Sequence, residues 1–416
     1  MQKEISLNNS DHLQLLFDQK IKREKGTANT SQLFIKLSSF ISANELRDFL
    51  IQNEYFLQLV NTRVKRPFLK KEFYHLGSDM EFDFSEVKVE LFSPSTLFQN
   101  DDIGNTPVKV TLVQLPETSG ILFQFNHIYI DNNGVKNLLR SFSGEKFDFH
   151  RSQAIKQDKF YPRLKNALQF AKLMLTNWTA PISNLSAANK GEIVKKNYII
   201  QNFTREDTEI IKSRIKRSFH IQSMSSLLLA ACCKAIQDLL IQQGKKIHKF
   251  TFQQPFELIS KKEPAYIIGN RFSFLHYKLQ PEEVNTVSEL QNEINKQTMQ
   301  QMKDRIAYKS MDFESIIRFL NHRVHLAMIH LPARAKMTSF AYTFIGEAKI
   351  IDSFANREIL DMIHIPPVMK NPPITIGGMY YDSNLRIEVC YDQNSINKED
   401  ADFINSRILH HLISEE

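Results

Sequence analysis

Glycine is scarce in this chain, at 12 of 416 residues, and the glycine-rich loops that let a backbone hug phosphate are missing with it. Neither G-x-G-x-x-G nor G-x-x-x-x-G-K-[ST] occurs, which argues against the common dinucleotide and P-loop sites. The G-x-S-x-G nucleophile elbow is also absent. Cysteine is limited to Cys232, Cys233 and Cys390. Adjacent cysteines rarely bridge each other and an odd count leaves one over, so the sequence predicts reduced thiols in a reducing compartment. Neither adjacent cysteine has a local nucleophile signature, which disfavours a covalent intermediate on the protein.

Long uncharged runs are missing as well. The most apolar stretch, "MSSLLLAACCKAIQDLLI", carries Lys234, Gln237 and Asp238, where a membrane span tolerates few charges. The N-terminal residues "MQKEISLNNSDHLQLLFDQK" lack the charged-then-apolar order of a signal peptide, so a cytoplasmic protein is expected. The formal charge is +7, yet no basic run is interleaved with aromatics, and a nucleic-acid partner is not expected. The positive balance suits an acidic small ligand or an acidic protein partner.

What is present points to a folded, soluble protein. The chain is 42% apolar and 24% charged, in the range of ordinary globular domains, and 31 phenylalanines supply large side chains for packing. Its length favours two domains over one.

Along the chain, "LFIKLSSFIS" alternates as a strand, and a helix follows in which Ser42 stands three residues ahead of Glu45 as a cap. "VKVTLVQL" and "GILFQFNHIYI" read as a hairpin across "PETSG". Residues 144–190 turn polar around one amphipathic helix, "YPRLKNALQFAKLMLTNW". Its basic face permits peripheral membrane contact, but such helices usually pack on their own domain, and membrane contact is not favoured. The predicted boundary lies here: residues 1–175, a linker over 176–189, and 190–416. The second part alternates strands such as "KKNYIIQNF", "KFTFQQPF" and "LRIEVCYD" with helices near 204–217, 223–242, 283–304, 311–330 and 398–413. Mixed sheets flanked by helices make an α/β (α+β) protein.

Chemistry concentrates at "FQFNHIYIDNNG". His127 ends an alternating apolar strand, and an imidazole can accept a proton near neutral pH. Asp131, four residues on, could be turned inward after Ile130 to brace the loop; the plain alternative is a core histidine beside an ordinary "DNNG" turn. Spacing alone decides little, because His75 and Asp79 repeat it in a charged, loop-like region. "NHRVHLAMIH" offers His322, His325 and His330, but not a recognised zinc set, and no metal is expected.

The stretch "VKVTLVQLPETSGILFQFNHIYIDNNGVKNLLRSF" resembles the core of the CoA-dependent acyltransferase superfamily, the group of the chloramphenicol acetyltransferase fold, with its HxxxD signature at His127 and Asp131. "FIKLSSFISANELRDFLIQNEYFLQLVNTRV" is similar to the opening of condensation domains and of wax ester synthase or diacylglycerol acyltransferase-like proteins. "IIGNRFSFLHYKL" is similar to their glycine-asparagine strand start, at Gly269 and Asn270, and "TSFAYTFIG" to a strand in which Thr343 takes the hydroxyl position and Gly346 the glycine. The resemblance runs in order over roughly residues 30 to 412.

It implies two subdomains in a V with a channel between them, and His127 as general base for transfer of an acyl group from a thioester to an alcohol or amine. The donor would be acyl-CoA or a phosphopantetheine-linked acyl group on an acyl carrier protein, with no bound cofactor. Asp131 would brace the loop, Thr343 would donate to the oxyanion, and Asn126, Gly134 and Asn270 would contact substrate. The sequence departs from the pattern at Asn126, where the double-histidine form has its first histidine, at Asn132, where it has glycine, and at "PFELI", where Ile259 stands in place of an arginine. A catalytically inactive scaffold that binds a carrier protein or partner enzyme is the alternative reading.

Overall fold

The computed structural model describes residues 4–26, 29–65, 73–77, 82–91, 93, 97–98, 103–150, 160–178, 181–185, 192–217, 223–258, 265–280, 286–318 and 338–414. Two larger sheets organise them. The first has six strands, in the order Ser353–Phe354, Arg357–Ile365, Thr30–Leu37, Ser119–Asn126, Val108–Gln114 and Asp83–Lys88. Its hairpin is the one the alternation predicts: Val108 pairs Phe125 and Gln114 pairs Ser119, and the chain turns where Leu115 N donates to Thr118 O at 3.0 Å.

Ser119–Asn126 is central, and both of its faces are buried. Ile121, Phe123 and Phe125 enter one core, while Leu122 enters another. Each phenylalanine fully removed from water contributes on the order of 1.5–3 kcal/mol, so this strand is a rigid base for whatever follows it.

The second sheet has four strands, Ala341–Glu347, Ile374–Tyr381, Asn384–Asp392 and Lys196–Asn202. Against it pack Met224–Gln242 and Lys398–Ile413, whose apolar residues share one core with the sheet. Met224–Gln242 is long and apolar enough to cross a membrane, but most of it is buried in that core. A separate ribbon pairs Phe250–Glu257 with Phe272–Leu279.

The boundary drawn from sequence does not separate the sheets. Arg357–Ile365 comes from the second half, yet lies antiparallel beside Thr30–Leu37, with His364 opposite Leu33. A third core of Phe34, Leu122, Tyr198, Ile363, Ile365 and Cys390 joins residues of both sheets. The first half's sheet is therefore completed by the second half.

One helix escapes the sequence pattern. Asn9–Arg23 falls in the polar lead, and Asn8 caps it reciprocally with Asp11. Its polar residues Ser10, Asp11, His12, Asp18 and Lys20 are buried along with Leu13, Leu15, Leu16 and Ile21, so hydrogen bonding accompanies apolar packing here.

Candidate active site

The strand carrying the histidine stops one residue early. Asn126 Oδ1 accepts Ile128 N at 3.0 Å and Tyr129 N donates to Asn126 O at 3.0 Å, a local turn of the kind asparagine favours. His127 is thus on the turn rather than in the strand, and the reversal expected after Ile130 occurs before it.

His127 Nδ1 lies 3.2 Å from Ile130 O. A carbonyl only accepts, so this bond requires the ring proton on Nδ1 and leaves the lone pair on Nε2. The half-buried ring lines a cavity of about 420 Å³. Burial pulls its pKa down to about 4, against a small opposing contribution from the Ile130 carbonyl, so the imidazole is neutral at physiological pH.

Asp131 caps the helix Asn132–Ser141. Its Oδ1 accepts Gly134 N at 2.8 Å, and its Oδ2 accepts the Tyr266 hydroxyl at 2.6 Å and Arg271 N at 3.1 Å. Burial raises its pKa, and the donations from Tyr266, Gly134, Arg271 and Asn133 oppose that rise. With both oxygens occupied, Asp131 ties the start of the helix to the second half.

Asn126, Gly134 and Asn270, the expected substrate contacts, are not among the residues that line the cavity, and each makes structural contacts around it. Asn126 shapes the turn. A Cβ on Gly134 would fall 2.2 Å from Ile267 O and 2.7 Å from Ile130 Cγ1, so glycine is needed for the helix to lie against Tyr266–Ile268. Asn270 Nδ2 donates to His127 O at 3.0 Å and Ile128 O at 3.3 Å. Gly269, at φ +105°, donates its N–H to Tyr129 O at 2.8 Å. The glycine-asparagine pair therefore supports the histidine turn directly.

Thr343 does line the cavity, half-buried, on Ala341–Glu347, opposite Gly377 of the parallel strand Ile374–Tyr381. Lys136, on the helix that Asp131 caps, reaches that strand and donates Nζ to Ile345 O at 2.5 Å. Asn132 lines the cavity, and Asn133 Nδ2 donates to Glu257 Oε1 at 2.8 Å. Glu257 belongs to the "PFELI" departure; Ile259, Asp79, His322, His325 and His330 lie outside the described residues.

The sequence reading missed His364. It lines the same cavity and is buried, and its Nε2 has no hydrogen-bond partner among the described residues. Burial, and then the charges of His127 and Lys136, push its pKa down to about 3. In the register, His364 stands opposite Leu33, and Leu33 opposite Phe123. Facing residues share a side of the sheet, so His364 emerges on the Phe123 face. In "REILDMIHI" the polar residues Glu358, Asp361 and His364 fall three apart, so the alternation that marks a half-buried strand is absent.

Much of the remaining wall is apolar and includes Phe17, Phe272, Phe274, Phe340 and Phe344. Lys20 is a buried exception whose Nζ donates to Asn371 O at 2.8 Å. All three cysteines are free and buried, and burial raises their thiol pKa values. That argues against a thiolate nucleophile.

No protein-family model matches the chain, and the search of curated proteins finds no match. Solved structures do match. The TRI3 trichothecene 15-O-acetyltransferase from Fusarium sporotrichioides is 10% identical, with a TM-score of 0.73 over 99% of this chain and 95% of that one. The first condensation domain of the calcium-dependent antibiotic synthetase is also 10% identical, with a TM-score of 0.70 over 99% and 96%. The wax ester synthase/diacylglycerol acyltransferase from Marinobacter aquaeolei VT8 is 14% identical, with a TM-score of 0.57 over 98% of each chain. The chain therefore has the two-part, chloramphenicol acetyltransferase-like fold that the CoA-dependent acyltransferases and condensation domains share.

Proposed function

We propose that the protein transfers an acyl group from a thioester, on CoA or on a carrier protein's phosphopantetheine, to an alcohol or amine. The observation that carries this reading is the Nδ1 bond of His127 to the Ile130 carbonyl, which holds a neutral imidazole at the cavity with its lone pair on Nε2. The fold supports it, as a scaffold shared with acyltransferases.

In the proposed step, the acceptor's proton passes to His127 Nε2 as its oxygen or nitrogen attacks the thioester carbonyl. The tetrahedral oxyanion is met by the Thr343 hydroxyl. Collapse breaks the C–S bond, and Nε2–H returns the proton to the departing thiolate. The products are an ester or amide and a free thiol, with no acyl group on the protein. General-base assistance of this kind is worth roughly 10²- to 10⁴-fold. Asp131 fixes geometry and takes no proton. The free, buried thiols fit a reducing, cytoplasmic setting.

The test is thiol release and product mass in a cell extract supplied with mixed acyl-CoA and carrier-bound thioesters, comparing wild type with folded His127→Ala. A new acylated species made by wild type alone supports the reading and names both substrates. Identical profiles across the panel would reject it and leave the scaffold.

A further inference from the structure

The first turn of the helix Asn9–Arg23 is clamped to the segment that supports the histidine turn. Asp11 Oδ1 accepts Asn270 N at 2.7 Å and Asn270 Nδ2 at 3.2 Å. The same Nδ2 donates to the His127 and Ile128 carbonyls. Asn8 Nδ2 donates to Asn270 O at 2.8 Å, while Asp11 Oδ2 accepts Asn8 N at 2.8 Å. Asp11 and Asn270 are fully buried. An asparagine amide that gives one of its two hydrogens to an anionic acceptor has the other aimed at the carbonyls on the far side, where His127 O and Ile128 O share it.

We propose that Asp11 is a positioning residue for His127, acting through Asn270, so that the N-terminal helix of the chain sets the geometry of the catalytic turn. As a statement about catalysis this rests on the acyl-transfer reading; as a statement about His127's surroundings it does not. Three elements distant in sequence meet here, and Asn270 is the shared joint. Removing the carboxylate leaves Asn270 without its fixed acceptor, and the carbonyls of His127 and Ile128 lose a directed donor.

The groups facing Asp11 are known. Asn8 and Asn270 donate to it, and the Tyr74 hydroxyl, which donates to Ile128 O at 2.7 Å, lies beside it. Tyr266 feels its charge. Burial raises the Asp11 carboxyl to about 6, against the donations from Asn8 and Asn270, so the clamp has a protonation step close to physiological pH. His127 in turn faces Ile130 O and interacts with His364.

The experiment follows the His127 ring by NMR in histidine-labelled protein, with the resonance assigned through His127→Gln. Asp11→Asn is compared with Ser10→Ala, which removes a neighbouring clamp, the 2.7 Å bond from Ser10 Oγ to Phe272 O, without touching Asn270. The expected result, read near neutral pH where Asp11 is ionised and His127 is neutral, is that Asp11→Asn moves the His127 Nδ1 and Nε2 resonances and lowers the share of the Nδ1–H tautomer as the turn loosens, while Ser10→Ala leaves them in place. Unmoved ring resonances in Asp11→Asn, or an equal change in both variants, overturn the proposal.

If Asp11→Asn does not fold, the same link is read in wild type, where the Asp11 carboxyl resonance and the His127 ring should step together near pH 6. Independent titration overturns it there. Because the signal is the ring itself, a shift without acyl transfer retires the proposed function but not the positioning, and transfer without a shift does the reverse.

Discussion

Tyr266 donates its hydroxyl to the Asp131 carboxylate at 2.6 Å, and that bond joins the histidine motif of the first half to a strand of the second. The aspartate is committed to the joint. Its partners are Tyr266, Gly134 and Arg271, whereas the hydrogen bond of the His127 ring is to Ile130 O.

Removing Asp131's charge should accordingly act on stability first. Asp131→Asn weakens three charge-assisted bonds and Tyr266→Phe removes one, and hydrogen bonds to charged groups are worth about 1.5–3 kcal/mol each. Chemical denaturation should rank the two, with Asp131→Asn the more destabilised. Equal stability of both variants and wild type would contradict a bracing role.

Gly134→Ala should destabilise by about 1–3 kcal/mol, because the new methyl meets the Ile267 carbonyl oxygen, a backbone atom that cannot swing aside. Gly144→Ala is a useful contrast: it meets no atom within 4 Å but carries a φ of +88°, so its cost is conformational. A thermal melt showing no loss in Gly134→Ala would mean that the helix can back away from the strand.

Thr343→Val keeps the shape of the side chain and deletes the hydroxyl. If that hydroxyl meets the oxyanion, kcat should fall by about 10²-fold with KM little changed. Thr343→Ser should retain most of the rate. A rise in KM with kcat unchanged would move Thr343 from the oxyanion to ground-state binding.

The buried histidine His364 should make the protein acid-sensitive. Its folded pKa, about 3, lies below the ordinary 6.5, so between pH 6.5 and 3 the unfolded chain takes up a proton that the folded chain refuses. Stability therefore falls as pH drops through that window. His364→Gln removes this contribution, and its denaturation midpoint should decline less than that of wild type from pH 7 to pH 4. Parallel declines would show that His364 is protonated in the folded protein.

Much of the local order follows from the sequence. The alternation of "ILFQF" and the turn residues of "PETSG" specify the hairpin Val108–Gln114 and Ser119–Asn126. Ser42, accepting Glu45 N at 3.2 Å, caps the helix Ala43–Ile51. Asn126 and Asp131 determine, through short-range hydrogen bonds, where the strand stops and the next helix begins. Those choices involve residues a few positions apart; a linear reading reaches the hairpin and the Ser42 cap, but carries the strand past Asn126, where the structure ends it.

Tertiary structure decided the rest. No spacing announces that Asp11, Asn270 and His127 share one hydrogen-bond chain, or that His364 from the second half enters the first half's sheet on the Phe123 face. The helix Asn9–Arg23 looks polar because its buried groups are matched to partners far along the chain. A residue's own neighbours cannot reveal whether a distant segment will supply its acceptor. The motif residues His127 and Asp131 stand out in the sequence by themselves; only the pairing of distant segments determines what surrounds them, because burial and hydrogen-bond satisfaction are properties of the assembled fold.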